Sequence, residues 1–190
     1  MNKTEAITAV IRTTVDEPII FTTGYASRIA SSVADRSSHF YMTGSMGLAA
    51  NIGLGIALST HSTVVVVDGD GSLAMNPGCL LSAGAFPGAK LLHLVLDDRR
   101  YESTGGQAAP TGRTDFVGLS LAAGYGRAHR VDDVAGLTGA LREGLGATSP
   151  QLLHCVLSDA RIGKPPPRIV PDLPRHRERF AGHLERVAAR

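Results

Sequence analysis

Little in the sequence points to secretion, a membrane or nucleic acid. Two cysteines in 190 residues, Cys79 and Cys155, stand far apart with no CxxC or metal-type spacing. That excludes a disulfide scaffold and predicts two reduced core thiols. No long hydrophobic run is present: the longest weakly polar stretch, Met46 to Leu58, is broken by Asn51 and several glycines and is too short to span a bilayer. The opening MNKTEAITAVIRTTVDE keeps its charges and lacks the apolar core of a signal peptide, so a cytoplasmic protein is expected. A dominant sign of charge is missing too, since 19 Lys and Arg against 17 Asp and Glu leave +2. No nucleic-acid footprint covers the whole molecule. Residues 161–190 are locally basic, eight Lys or Arg against three acids, a pattern read as a solvated helix face or a subunit contact. Internal repeats, a GxGxxG fingerprint and a P-loop lysine are all absent, which removes the common nucleotide-binding classes. The seven histidines show no ligand spacing, and His39 alone, near the GSMG segment, merits a test.

What is present is an ordinary globular composition, 43% apolar and 19% charged. Apolar residues at helical spacing predict an amphipathic helix over Thr4–Thr14, and short buried strands are expected at Pro18–Phe21 and Phe40–Thr43. Between them TTGYASR, Thr22 to Arg28, reads as a loop at a strand's carboxyl end, where open α/β sheets place their ligands. A helix follows from Leu48 to Ser59, with Gly53 and Gly55 small enough for close packing. Further along, helices are expected at 115–124 and 134–145, and strands at 127–131 and 151–157. This alternation predicts an α/β fold: a single domain, residues 1–162, built on a parallel sheet with helices on both faces. Residues 163–190 follow as a proline-rich arm and a C-terminal helix over Arg175–Ala189.

The stretch from Thr63 to Gln107 organises the rest. Val64 to Val67 is a β-branched run typical of a strand buried on both faces. Asp68-Gly69-Asp70-Gly71-Ser72 follows, where glycines allow a tight turn and close backbone approach. Asn76-Pro77 reads as a helix start, with the helix ending near Gly84 to Gly88. A second apolar strand, Leu91 to Leu96, stops at Asp97-Asp98. Two parallel strands joined by a helical crossover bring their carboxyl ends to one sheet edge. As neighbours they would set Asp70 and Asp98 side by side, able to share a hard cation, and that cation, with turn amides and a helix N-terminus, would seat a diphosphate. Either motif alone also reads as a plain turn or a strand-ending polar pair; their order and separation, 28 positions, favour the site.

GDGS, a helix, an apolar strand and a polar pair resemble the metal and diphosphate motif of thiamine-diphosphate enzymes. FYMTGSMGLAANIGLGIAL resembles the segment that passes beneath the cofactor in that superfamily, and YESTGGQ is similar to phosphonopyruvate and sulfopyruvate decarboxylases. The resemblance implies a diphosphate-binding domain that takes thiamine diphosphate and Mg2+. It places the cation at Asp70, Asp98 and Arg100. The cofactor is expected near Thr23, Gly24, Tyr25, Gly44, Ser45, Met46, Gly69, Gly71, Ser72 and Tyr101. It gives the Gly44 carbonyl a hydrogen bond from the cofactor's 4′-amino group and makes Met46 the wedge that bends the cofactor, a task suited to an unbranched, polarisable side chain. The polar loop through Gly105, Gly106 and Pro110 is expected to close over the site, with Glu102, Ser103 and Gln107 as candidate contacts.

In that family a glutamate on a pyrimidine-binding domain activates the cofactor. The length of this chain predicts the diphosphate-binding half only, completed by a separate pyrimidine-binding subunit in a hetero-oligomer with at least two copies of each. The expected activity is decarboxylation of a 3-substituted pyruvate. A carboligase subunit and a non-catalytic regulatory subunit that keeps the fold are the alternatives. One departure stands out: the family residue at position 98 is usually asparagine and small residues follow, whereas here Asp98 precedes Arg99 and Arg100. The arginines are expected to offset the added charge, or to receive the acidic group of the substrate.

Overall fold

The computed structural model describes residues 1–158, 165–169 and 172–189. Helix α1 (Lys3–Thr13) begins at a capping box in which Asn2 and Glu5 each take the other's main-chain N–H on a side-chain oxygen. Strand β1 (Ile19–Phe21), helix α2 (Tyr25–Val33), strand β2 (His39–Tyr41) and helix α3 (Ala49–Thr60) follow. Then come β3 (Val64–Gly69), the short helices α4 (Asp70–Met75) and α5 (Gly78–Gly84), and β4 (Leu91–Asp97). Strands β5 (Arg100–Tyr101) and β6 (Gln107–Ala108) form a small antiparallel ribbon. The chain continues through α6 (Phe116–Ala123), β7 (Arg127–Val131), α7 (Val134–Leu145), β8 (Gln151–Val156) and α8 (Leu173–Ala188).

Six strands form one wholly parallel sheet in the order β2-β1-β3-β4-β8-β7. Both faces are covered, as expected from the continuous apolar run of β3. Along β3 successive valines point oppositely: Val65 and Val67 join a core with α1, α2 and α7, while Val64 and Val66 join one with α3, α5 and α8. Each such fully buried valine contributes about 1.5–3 kcal/mol relative to exposure. Gly53 explains how closely α3 lies on the sheet, since a Cβ there would meet Val66 Cγ2 at 2.3 Å. Gly55, expected to share that role, faces open space. Helix α8 is held by Phe180 in the second core and by His176, which stacks on Phe40 and Tyr41. The boundary expected at 162/163 and part of the proline-rich arm lie outside the described residues. Among the described residues no helix is long and apolar enough to cross a membrane.

Four local expectations are corrected. The GDGS segment is not a tight turn: β3 runs on through Gly69 in extended conformation and α4 starts at Asp70. Asn76 does not N-cap a helix: it closes α4 as its C-cap, its side chain donates to Gly47 O and Asn51 Oδ1, and α5 begins two residues later at Gly78. The TTGYASR loop is short, because α2 already begins at Tyr25. The polar loop after Tyr101 turns through residues 102–104 and returns as β6, with Gly105 and Gly106 at positive φ.

Candidate functional site

The strand order reverses between β1 and β3, where β2 lies to one side and β3 to the other. At such a switch point the loops diverge and leave a crevice beyond the strands' carboxyl ends. A cavity of about 70 Å3 lies there. Its walls come from Thr22 and Thr23 after β1, from Gly69 to Ser72 at the end of β3, and from Leu96 and Asp98 at the end of β4. Strands β3 and β4 pair with Gly69 opposite Leu96, which is why Asp70 and Asp98 reach one wall.

Asp70 is 2% exposed, and its Oδ2 accepts a hydrogen bond from the Thr111 hydroxyl at 2.6 Å. Burial pushes its carboxyl up to about 6; the Thr111 hydroxyl opposes the rise, and the Asp97 and Asp98 charges add to it. Asp98 is buried as well. Its Oδ1 accepts the Arg100 main-chain N–H at 3.3 Å, and its Oδ2 is held by the ammonium of Lys3, which also reaches Glu102 Oε2 at 3.0 Å. Burial works against the charge on Lys3, but the two carboxylates outweigh it and raise its pKa. Arg99 and Arg100 were expected to offset Asp98; the ion-pair partner is instead Lys3, from the far end of the chain. Arg99 is exposed at φ 58, and its N–H donates to Asp97 Oδ1 at 3.1 Å.

Two buried pairs lie behind these carboxylates. Asp68 accepts the Gly69 N–H at 2.9 Å and lies 3.4 Å from His93, whose Nδ1 is 3.2 Å from the Tyr125 hydroxyl. Asp97 lies 2.8 Å from His154 Nε2. Ser72 is used internally: its hydroxyl accepts the Gly47 N–H at 3.0 Å and sits 3.2 Å from Thr22 Oγ1, tying the GSMG segment to β1.

Of the expected residues, Thr23, Tyr25, Met46, Gly69, Asp70, Gly71, Ser72, Asp98, Arg100 and Tyr101 line this cavity, together with Glu102 and Ser103. Gly24 borders an adjoining cavity of about 230 Å3. At φ +92, with a Cβ position only 2.8 Å from Ser103 Oγ, it lets the 102–104 turn close down. Gly44 and Ser45 line a separate apolar groove of about 650 Å3 against the start of α8. Gln107 is exposed, and its Oε1 accepts from Thr104. His39 is a core residue: it is fully buried, its Nδ1 lies 3.1 Å from Ala34 O and 3.2 Å from the Tyr41 hydroxyl, and burial lowers its pKa to about 4.

Lys3 and Thr111 belong to this site and were not expected there. Thr111 sat in a polar run with no local signal, and Lys3 lay on a helix read only for its apolar stripe. Two carboxylates suit a hard cation such as Mg2+, which keeps several of its waters. Arg100 can add only its main-chain carbonyl, because a guanidinium has no acceptor lone pair. Among the described residues no cluster of three or more His, Cys, Asp or Glu forms an all-protein metal cage. The fit is therefore to a cation shared with an anion. At Gly71 a Cβ would lie 2.4 Å from Tyr101 Cε1, so the missing side chain is what lets the Tyr101 ring pack on the start of α4 beside the cavity.

Residues 22–155 match the family model of the thiamine pyrophosphate enzyme, C-terminal TPP binding domain. The chain is 40% identical over 157 residues to a phosphonopyruvate decarboxylase of Streptomyces viridochromogenes, covering 82% of this chain and 40% of that protein. It is also 40% identical over 134 residues to the sulfopyruvate decarboxylase subunit beta of Methanothermobacter thermautotrophicus, covering 70% and 72%. The chain thus spans about 40% of the length of the phosphonopyruvate decarboxylase and most of the beta subunit. Among solved structures, a thiamine diphosphate-dependent 4-hydroxybenzoylformate decarboxylase of Rhodococcus jostii RHA1 superposes with a TM-score of 0.69 at 18% identity, covering 85% of this chain and 33% of that one, a likeness of fold. With its parallel sheet, its crevice at the switch point and this match over most of its length, the chain belongs to the thiamine pyrophosphate enzyme family, as a C-terminal TPP binding domain.

Proposed function

We propose that this chain is the diphosphate-binding subunit of a thiamine-diphosphate-dependent decarboxylase acting on a 3-substituted pyruvate of the phosphonopyruvate or sulfopyruvate kind. The observation that carries it is the pairing of Asp70 and Asp98 at the tips of adjacent strands, in a domain whose relatives bear those two activities. In this reading Asp70, Asp98 and the Arg100 main-chain carbonyl would hold Mg2+, and the backbone at Gly69 and Gly71 would contribute to the diphosphate site. Bound thiamine diphosphate supplies the electron sink for the carbanion left when carbon dioxide departs. Met46, half-buried at the cavity edge, props the cofactor. The 102–104 turn, packed against Gly24, keeps water out. The Gly44 carbonyl, exposed beside the apolar groove, orients the cofactor's amino group.

A separate pyrimidine-binding subunit supplies the activating glutamate. Relatives named as beta subunits support that arrangement, matched here over two thirds or more of their length in two cases. The buried, unpaired Cys79 and Cys155 suit a reducing cytoplasm. The test is reconstitution: the chain is mixed with a pyrimidine-binding subunit, Mg2+ and thiamine diphosphate, and carbon dioxide release from each acid is measured. Release from one of them, absent when either subunit is omitted, supports the proposal; no release from either acid overturns it. The carboxylate at position 98 favours one second reading, a non-catalytic subunit, and association without cofactor uptake would support that.

A further inference from the structure

Lys3 is the first residue of α1, yet its ammonium sits on the wall formed after β4, 95 positions away along the chain. Its location is constructed. The Asn2–Glu5 capping box sets the first turn of the helix, and the Ser158 N–H donates to Met1 O at 3.0 Å, pinning the start of α1 beside the end of β8. The Lys3 side chain is 13% exposed, and the carboxylates it joins are 2% exposed at Asp98 and 12% at Glu102. Lys3 also lines the cavity itself.

Without Lys3 this wall would carry the charges of Asp70, Asp98 and Glu102 opposite a ligand that is itself a polyanion. Arg100, the other cation lining the cavity, is exposed and so screened by solvent. A buried carboxylate that loses its partner is an uncompensated charge in a low-dielectric place. We infer that Lys3 is a positioning and charge-setting residue for the cation site: it neutralises Asp98 through Oδ2, leaving Oδ1 beside the Arg100 main chain as a ligand that adds no net charge facing the diphosphate. The inference rests on the function proposed above. It makes Lys3 and Asp98 one unit, so that an amide at 98 with no lysine at 3 is electrostatically equivalent to the native pair.

The test needs only ligands that touch this chain: Mn2+ followed by electron paramagnetic resonance, and inorganic diphosphate titrated calorimetrically at saturating Mg2+. Removing one cation from the wall opposes the two affinities. Lys3→Met is expected to bind Mn2+ alone about threefold to tenfold more tightly, and diphosphate about tenfold more weakly. Lys3→Arg keeps both near the wild-type values. Adding Asp98→Asn to Lys3→Met returns diphosphate affinity to within about threefold of wild type, a rescue that marks coupling rather than additive damage. Asp98→Asn alone, which leaves the lysine with Glu102 only, weakens Mn2+ binding and provides a second variant should Lys3→Met be unstable.

A Lys3→Met protein that gains affinity for both ligands would show the lysine to be an obstruction and overturn the inference. One that loses both, with no rescue by Asp98→Asn, would overturn it in favour of a purely structural anchor for α1. Wild-type protein that takes up neither Mn2+ nor diphosphate fails in a different way, and that result sinks the proposed function itself.

Discussion

Replacing Asp70 by asparagine should make the ligand-free protein more stable. Asp70 is 2% exposed, and its carboxyl is raised from 3.8 to about 6, chiefly because burial disfavours the charged form. The sign follows from linkage. The folded state holds this proton more tightly than the unfolded chain, so no penalty exists below pH 4; it develops as pH rises from about 4 to 6 and is full above that. The shift corresponds to an upper limit of about 3 kcal/mol. Asparagine has the same shape and carries no charge, and its carbonyl can still accept the Thr111 hydrogen bond seen at 2.6 Å. Allowing for partial relaxation, Asp70→Asn should gain about 1–3 kcal/mol at pH 8 and nothing at pH 4. In urea, with a slope of about 2 kcal/mol per molar, the midpoint at pH 8 rises by about 0.5–1.5 M. Mg2+ and thiamine diphosphate at about 1,000 times Kd should then reverse the order, adding about 4.1 kcal/mol to the wild type and nothing to the variant. A variant less stable than wild type, or equally stable, at pH 8 without ligands would refute the reasoning that Asp70 is a strained, ligand-ready carboxylate.

Gly71→Ala forces a methyl group onto Tyr101, 2.4 Å from Cε1; the expected cost is about 1–3 kcal/mol in urea unfolding, with weakened calorimetric binding of thiamine diphosphate. Unchanged binding would show that the backbone at 71 does not approach the ligand. Two glycines of α3 should respond oppositely. Gly53→Ala meets Val66 at 2.3 Å and should destabilise by about 1–3 kcal/mol, whereas Gly55→Ala, with nothing within 4 Å, should stabilise by up to about 1 kcal/mol. Phe180→Ala removes the anchor of α8 in the second core and should cost about 3 kcal/mol, with earlier cleavage near the C-terminus in limited proteolysis.

The sheet and the meeting of its two acids were legible because they follow from local pattern and handedness. Val64–Val67 is an unbroken apolar run and Leu91–Leu96 is apolar but for His93, and a short helical crossover between parallel strands leaves few choices for where Asp70 and Asp98 emerge. Lys3 was not legible. Its role depends on where α1 begins relative to β4, a relation with no sequence spacing to betray it. His39 misled for the opposite reason: it is near the GSMG segment in sequence, but strand alternation turns it with Tyr41 into the core behind the sheet. The GDGS glycines were read for turn-forming freedom, when what Gly71 provides is space beside Tyr101. Gly44 and Ser45 part from Met46 because Ser45 takes φ 55 and Gly47 φ 92, which redirect the chain within three residues.

The most direct measurement is an anomalous difference map from crystals grown with Mn2+ and thiamine diphosphate. A peak bonded to carboxylate oxygens of both Asp70 and Asp98, at about 2.0–2.3 Å, with the diphosphate on its far side, is the predicted result. A bound cofactor with the metal elsewhere, or with Lys3 and Asp98 closed over an empty wall, would contradict it.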